Sequence, residues 1–296
     1  MDGLLVIDKP VGPTSHDVVA RMRRVLGERR IGHTGTLDPN ASGVLPLVIG
    51  RATRLAKFLS GGRKTYEAVV RLGIATDTFD AEGTPTGAPW TGPLPAREAV
   101  EAALAGFRGA FMQQPPAHSA KKIDGQRSYV AARAGLAVRP EPAPVTVEHL
   151  DIVDLADGDL TLRVECSAGF YVRSLAHDLG VQLGTGAHLS ALRRTVSAGL
   201  TIEDAMPLEF AERSRDDAVG AVLPLEAMLP QLPAVVLTDE GLLRVAHGRN
   251  VGRHDVASGP LDARVPIRLV DQRGQLVAIG ESTEVPGVLH PSVVLR

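Results

Sequence analysis

The chain has 296 residues, 44% of them hydrophobic and 3% aromatic, with a formal net charge of −2 and a single cysteine, Cys166. That length fits one large domain or two unequal ones with a core filled mainly by Ala, Val and Leu. The lone cysteine excludes an intramolecular disulfide and any multi-cysteine zinc site, and no apolar stretch approaches bilayer-spanning length.

Residues 1–10 lack the basic region of a signal peptide, so a cytoplasmic, reducing setting is expected. Charge is unevenly placed. Residues 1–71 hold twelve Lys or Arg against six Asp or Glu, whereas 203–240 hold nine acids against Arg213 and Arg215. A near-neutral molecule can in this way present one positive face.

In chain order, residues 3–8 read as a short buried strand ended by Lys9 and Pro10. Ser15 reads as the N-cap of a helix over 17–26, stopped by Gly27. A glycine-rich loop follows. Residues 44–50 form a second apolar strand, 52–59 a helix, and 65–72 a β-rich run ending at Gly73. The stretch 75–83 is turn-rich and acidic, and 85–95 is a linker carrying the only tryptophan, Trp90. A helix covers 96–104, and an irregular stretch at 113–122 leads to a short helix near 128–134. Strand-like alternation at 145–153 and 160–166 precedes an amphipathic helix at 171–183, with Arg173 in its first turn. After Pro230 and Pro233 the texture changes to short strands around one helix, 239–247, which places a domain boundary there. Strands and helices interspersed without regular βαβ spacing favour an α+β fold with a mixed sheet.

Several standard chemistries find no support. There is no Walker-type loop, no dinucleotide-binding glycine fingerprint, no HExxH pair and no GxSxG elbow. What remains is Asp38, set among Gly32, Gly35 and Gly43 and directly before Pro39, with His33 five residues upstream. The proline biases Asp38 toward an extended backbone, and the glycines permit tight turns and close approach of a ligand. An Asp-Pro turn with a capping carboxylate is the plainer alternative. A second segment, 167–175, places Phe170, Tyr171 and Arg173 at a strand-to-helix transition, where Arg173 can hold a buried Asp ionised and oriented. Core packing for the two rings and a solvated Arg173 is the competing reading there.

These segments, in this order, resemble the TruB family of bacterial tRNA pseudouridine synthases. The matching residues are 3–10, 14–19, 32–39 (Gly-His-Thr-Gly-Thr-Leu-Asp-Pro), 41–46, 64–66, 72–73, 76–78, Asp80, Pro115-Pro116, 119–122, 167–173, 186–189 and 192–195. The resemblance implies a mixed, largely antiparallel central sheet with flanking helices over 1–232, with a thumb-like insertion at about 114–144. It also implies a small C-terminal β-rich, PUA-like RNA-binding domain over 233–296.

By the same resemblance, the reaction is isomerisation of uridine 55 in the tRNA T-loop, without metal or cofactor. Asp38 matches the catalytic nucleophile, Arg173 its paired arginine, and Tyr66 the ring that stacks on the uracil. Tyr171 and Leu192 match the walls of the uridine pocket, and His33 the residue that orders the opened loop. The base must leave its stack to reach Asp38. Lys121, Lys122, Arg127, Arg193 and Arg194, with Arg21, Arg23 and Arg24, are candidate RNA-backbone contacts. The partner implied is the tRNA T-arm, with no membrane, no obligate protein partner and a monomeric state. Two residues depart from the family pattern: His118, where an aromatic is usual, and Phe170, where Thr is common.

Two other functions compete: an RNA-binding folding factor with little or no catalysis, and a metal-dependent hydrolase using His33, Asp38, Asp77 and Asp80. Asp77 and Asp80 read better as turn-stabilising carboxylates or as partners of a nearby arginine.

Overall fold

Strands β1 (Gly3–Lys9) and β3 (Ala41–Ile49) pair antiparallel in the computed structural model, which describes residues 1–117 and 140–295 and two short strands between them. Both strands are apolar at nearly every position, so both of their faces need cover. Successive side chains point to opposite faces of a sheet. Leu5, Ile7, Leu45, Leu47 and Ile49 accordingly enter one core, and Leu4, Val6, Val44 and Val48 enter another.

The large sheet is completed by β2 (Ile31–His33), β4 (Lys64–Leu72), β5 (Gly109–Gln113), β8 (Ala143–Ala156), β9 (Asp159–Cys166), β10 (Ala187–Ser197), β11 (Leu200–Thr201) and β12 (Met206–Pro207). Its order is β12-β1-β3-β10-β4-β9-β8-β5, with β2 paired to β3 and β11 to β10. Within it, β1–β12 and β3–β10 run parallel and the other pairs antiparallel. The parallel β3–β10 pair brings the strand after Asp38 beside the strand carrying Leu192, Arg193 and Arg194. The short strands β6 (Lys122–Ile123) and β7 (Gln126–Arg127) pair with each other. The helix expected near 128–134 lies outside the described residues, as does most of the expected insertion at 114–144.

Helices α1 (Ser15–Leu26), α3 (Arg97–Leu104) and α4 (Val172–Leu183) cover the first core through Met22, Leu104 and Leu179, among others. The cap of α1 is Thr14, not Ser15. Thr14 accepts from the Asp17 amide and Asp17 accepts from the Thr14 amide, a reciprocal box that frees Ser15 for another task. Gly27 ends α1 in the left-handed conformation, as expected. The helix expected over 52–59 divides into a 3-10 segment, Gly50–Leu55, and a short α2 (Ala56–Ser60). Helices α5 (Leu208–Arg213) and α6 (Arg215–Gly220) follow β12.

A second sheet, ordered β14-β13-β15-β16-β17, comprises β13 (Ala234–Leu237), β14 (Val256–Ser258), β15 (Ile267–Val270), β16 (Leu276–Ser282) and β17 (Leu289–Val294), with α7 (Asp239–Ala246) beside it. Val270, Leu276, Ile279 and Leu295 share the core of Leu4, Val6, Val44 and Val48, while Val235, Leu237, Ile267 and Leu269 pack with Val245 in a third core. Arg51 donates to the Leu295 carbonyl at 2.9 Å and Arg54 to that of Val294, so polar contacts border this junction. Among the described residues no helix is long and apolar enough to cross a membrane.

Candidate active site

Asp38 sits in the loop between β2 and β3, and its backbone is fixed on both sides by buried polar side chains. Ser15 Oγ accepts from the Leu37 amide at 2.9 Å and donates to the Leu37 carbonyl at 3.0 Å. Lys9 Nζ, fully buried, donates to the carbonyls of Ala41 (2.7 Å), Pro10 (2.9 Å) and Pro39 (3.4 Å). Arg194, 1% exposed, donates to the carbonyls of Val44 (2.7 Å), Gly35 (3.1 Å) and Thr36 (3.4 Å). Leu37 is buried in the core. Held at four neighbouring residues, the loop leaves the Asp38 carboxylate 40% exposed at the wall of a cleft of about 790 Å³.

Close backbone approach explains one of the loop glycines. Gly43 has φ 104°, and a Cβ there would lie 2.1 Å from the Arg194 carbonyl oxygen. The β3–β10 pairing at this point therefore requires glycine.

Across the cleft, α4 presents Arg173, whose side chain is 9% exposed. Its Nη2 lies 3.1 Å from Asp38 Oδ2 and its Nη1 lies 3.5 Å from Asp80 Oδ2. One guanidinium thus spans two carboxylates, the geometry to which arginine's rigid fork is suited. Asp80 also accepts from Thr78 Oγ1 (2.6 Å) and the Glu82 amide (3.1 Å), and Asp77 accepts from the Thr84 amide (2.8 Å). Asp80 is the arginine partner and Asp77 the turn-stabilising carboxylate. Among the described residues no three His, Cys, Asp or Glu side chains converge as a metal site.

The walls of the cleft include Tyr66, Tyr171 and Leu192. Tyr66 lies in the middle of the large sheet on β4, in register with Arg194 of β10. Burial raises its phenol above the usual tyrosine range, and the Arg194 charge partly opposes that rise. Tyr171 stands at the start of α4, where its amide donates to Gln113 Oε1 (2.8 Å) and its carbonyl accepts from Gln113 Nε2 (3.0 Å). Leu192, in register with Ala41 and Ala68, sits where β10 passes between β3 and β4. Phe170 reaches the cleft and packs edge-on to Phe111, with ring centroids 6.4 Å apart.

His33 is half-buried on β2 and packs edge-on against His16, 5.5 Å away, and it is His16 that lines the cleft. Burial lowers the His33 pKa, and its Nδ1 has no hydrogen-bond partner among the described residues. The candidate RNA contacts divide. Arg194 is a correction: it is buried and committed to backbone carbonyls, so it is not available to a phosphate. Arg193 pairs with Asp8 at 2.8 Å while staying partly exposed. Arg21 pairs with Glu212 and Arg23 donates to the Ile31 carbonyl. Lys121, the side chains of Lys122 and Arg127, and His118 lie outside the described residues. Lys9, Lys64, Ser15 and Arg194 are the residues that sequence reading missed in these roles. Lys64 also lines the cleft, with Nζ donating to the carbonyls of Gly62 (2.7 Å) and Ser60 (2.9 Å). For the three cations the available signal was a Lys or Arg at the end of a strand or within one: Lys9 closes β1, Lys64 opens β4 and Arg194 lies within β10.

A family model described as "TruB family pseudouridylate synthase (N terminal domain)" matches residues 23–172. The chain belongs to the TruB family. A second model, "tRNA pseudouridylate synthase B C-terminal domain", matches 173–229. The tRNA pseudouridine synthase B of Solibacter usitatus is 45% identical over 100% of both chains, and that of Burkholderia mallei is 43% identical over 98% of this chain and 96% of its own. A solved structure described as "Structure of H/ACA RNP bound to a substrate RNA containing 2'-deoxyuridine" aligns with a TM-score of 0.74 at 26% identity, covering 99% of this chain and 85% of that one. As a TruB-family enzyme, the chain catalyses isomerisation of uridine to pseudouridine in tRNA.

Proposed function

We propose that the uridine is position 55 of the T-loop and that Asp38 is the nucleophile which cleaves and re-forms its glycosidic bond. In the reaction the N1–C1′ bond breaks and a C5–C1′ bond forms, while C5 loses a proton and N1 gains one. The observation that carries this reading is the Asp38–Arg173–Asp80 array at the wall of a cleft lined by Tyr66, Tyr171 and Leu192. Arg173 orients the carboxylate through a charge-assisted contact at 3.1 Å, as a positioned nucleophile needs. Tyr66 stacks on the uracil, its phenol kept neutral by burial. Tyr171 and Leu192 wall the pocket, and His33, with His16, contacts the opened loop.

Asp38 is reached only by a base turned out of its stack. The enzyme would read the T-arm by its folded shape and phosphates rather than by base edges. Arg193 and, in the region between 117 and 140, Lys121, Lys122 and Arg127 are the proposed backbone contacts. We further propose a catalytic domain over 1–232, a PUA-like RNA-binding domain over 233–296, a monomeric state and a cytoplasmic location.

The test uses a T-arm stem-loop carrying tritium at uracil C5, with excess chelator present. Wild-type protein is expected to release tritium and Asp38→Ala to release none. Binding without release by wild type would overturn the catalytic reading in favour of an RNA-folding factor. Release seen only when the chelator is omitted would show a metal requirement that the Asp38 reading does not have.

A further inference from the structure

Phe79 has φ 66°, a left-handed backbone that is unfavourable for an aromatic L-residue. Its ring lies flat on that of His177, with centroids 3.8 Å apart and planes 15° from parallel. His177 follows Arg173 by four residues on α4, so one helix face carries both. In an extended chain, adjacent side chains such as those of residues 79 and 80 point to opposite sides. Here both reach α4, Phe79 at His177 and Asp80 at Arg173, 3.5 Å away. The positive φ is what brings them to the same side.

Around this turn the contacts converge on one guanidinium. The Thr78 carbonyl accepts from Arg173 Nη1 at 3.4 Å, and the Thr78 hydroxyl donates to Asp80 Oδ1 at 2.6 Å. On its other edge the segment is tied to β10: the Leu189 amide donates to the Phe79 carbonyl (2.9 Å) and the Ala81 amide to the Leu189 carbonyl (3.0 Å). The His177 Nδ1 is buried without a hydrogen-bond partner among the described residues. Its ring is therefore placed by stacking rather than by a polar anchor at that atom.

We propose that the Phe79–His177 stack is a clamp that holds Thr78 and Asp80 on Arg173 and so fixes the reach of Arg173 to Asp38. Both are positioning residues, since neither lines the cleft and each acts through Arg173. The inference rests on the reading that Asp38 and Arg173 carry the isomerisation.

The test is single-turnover tritium release from the C5-labelled T-arm stem-loop, with RNA binding and thermal unfolding measured in parallel. Wild-type release checks the underlying reading, and variants are compared only with that rate. His177→Ala is expected to slow release about 10- to 100-fold, the scale of a misplaced catalytic group, with RNA affinity within about twofold. His177→Phe, which restores a stacking ring, is expected to recover most of the rate. Phe79→Gly is the second variant. Glycine accepts the φ of this turn without strain, so the protein folds normally yet releases tritium as slowly as His177→Ala. Combining the two is expected to add no further loss, as for residues acting as one unit. Wild-type rates in His177→Ala or Phe79→Gly would overturn the clamp. So would independent, multiplying losses, or a His177→Phe variant as slow as His177→Ala.

Discussion

Arg173 and Asp38 meet 3.1 Å apart with unequal exposure: the guanidinium is 9% exposed and the carboxylate 40%. The cation is built into the protein and the anion is left facing the cleft, the arrangement expected when the carboxylate must meet a substrate. Because Arg173 spans Asp38 and Asp80 through different nitrogens, Arg173→Lys is expected to fail despite keeping the charge. A single ammonium cannot hold both positions. Single-turnover tritium release should fall about 100-fold with little change in RNA affinity. Equal rates for Lys and Arg would mean that charge alone matters.

Arg194 gives a stability prediction. Arg194→Met keeps much of the side-chain volume but strands the buried carbonyl of Val44 and removes the donors from the part-buried contacts to Gly35 and Thr36. A loss of about 1–3 kcal/mol is expected, the cost of one unsatisfied buried acceptor. Urea unfolding measures this directly. A change below about 0.5 kcal/mol, the range of ordinary surface substitutions, would show that the staple contributes nothing.

Lys9 supplies a pH signature. Burial lowers its pKa from 10.5 to about 8, with the Asp38 charge opposing the drop. A depressed folded-state pKa means the unfolded chain binds more protons between these values, so this group's contribution to stability rises with pH from about 8 to 10.5 and is lost as pH falls through about 8. The wild-type stability profile should therefore slope more steeply upward over that window than that of Lys9→Met. Parallel profiles in urea titrations would refute the assignment.

Cys166 behaves in the opposite sense. Burial pushes its thiol from 9.0 up to about 12. Its stabilising contribution is complete below the unfolded value and is lost as pH rises through about 12. At pH 8 the native protein should resist thiol-reactive reagents and label only on unfolding, because the thiolate is the reactive form. Fast stoichiometric labelling of the folded protein would contradict this.

Much of this organisation was legible in advance because it rests on local rules. Continuous apolar runs marked β1 and β3, Gly27 marked the end of α1, and the Gly-His-Thr-Gly-Thr-Leu-Asp-Pro string marked Asp38. Asp80 was readable as a turn carboxylate or an arginine partner, but that the arginine is Arg173 was not. What was hidden depends on contacts between segments distant in sequence. Arg194 looked like a surface cation until strand register placed it under the loop 158 and 159 residues earlier. Ser15 looked like a cap, but Thr14 takes that role and Ser15 reaches Leu37 instead. No propensity signals a stack such as Phe79 on His177, because neither ring is part of a periodic pattern.

Strands β1 and β3 are apolar on two sides, and the core on the far side is completed by Val270, Leu276, Ile279 and Leu295 from the last thirty or so residues, alongside Leu55, Leu59, Leu225 and Met228. Those residues are consequently not a detachable module. A chain ending near residue 233 would lose Val270, Leu276, Ile279 and Leu295 from the core that Leu4, Val6, Val44 and Val48 share, opening a greasy strip beside the strand that emerges from the Asp38 loop. Minimal versions of this enzyme made by shortening its carboxyl end should therefore precipitate unless that strip is first rewritten with polar residues.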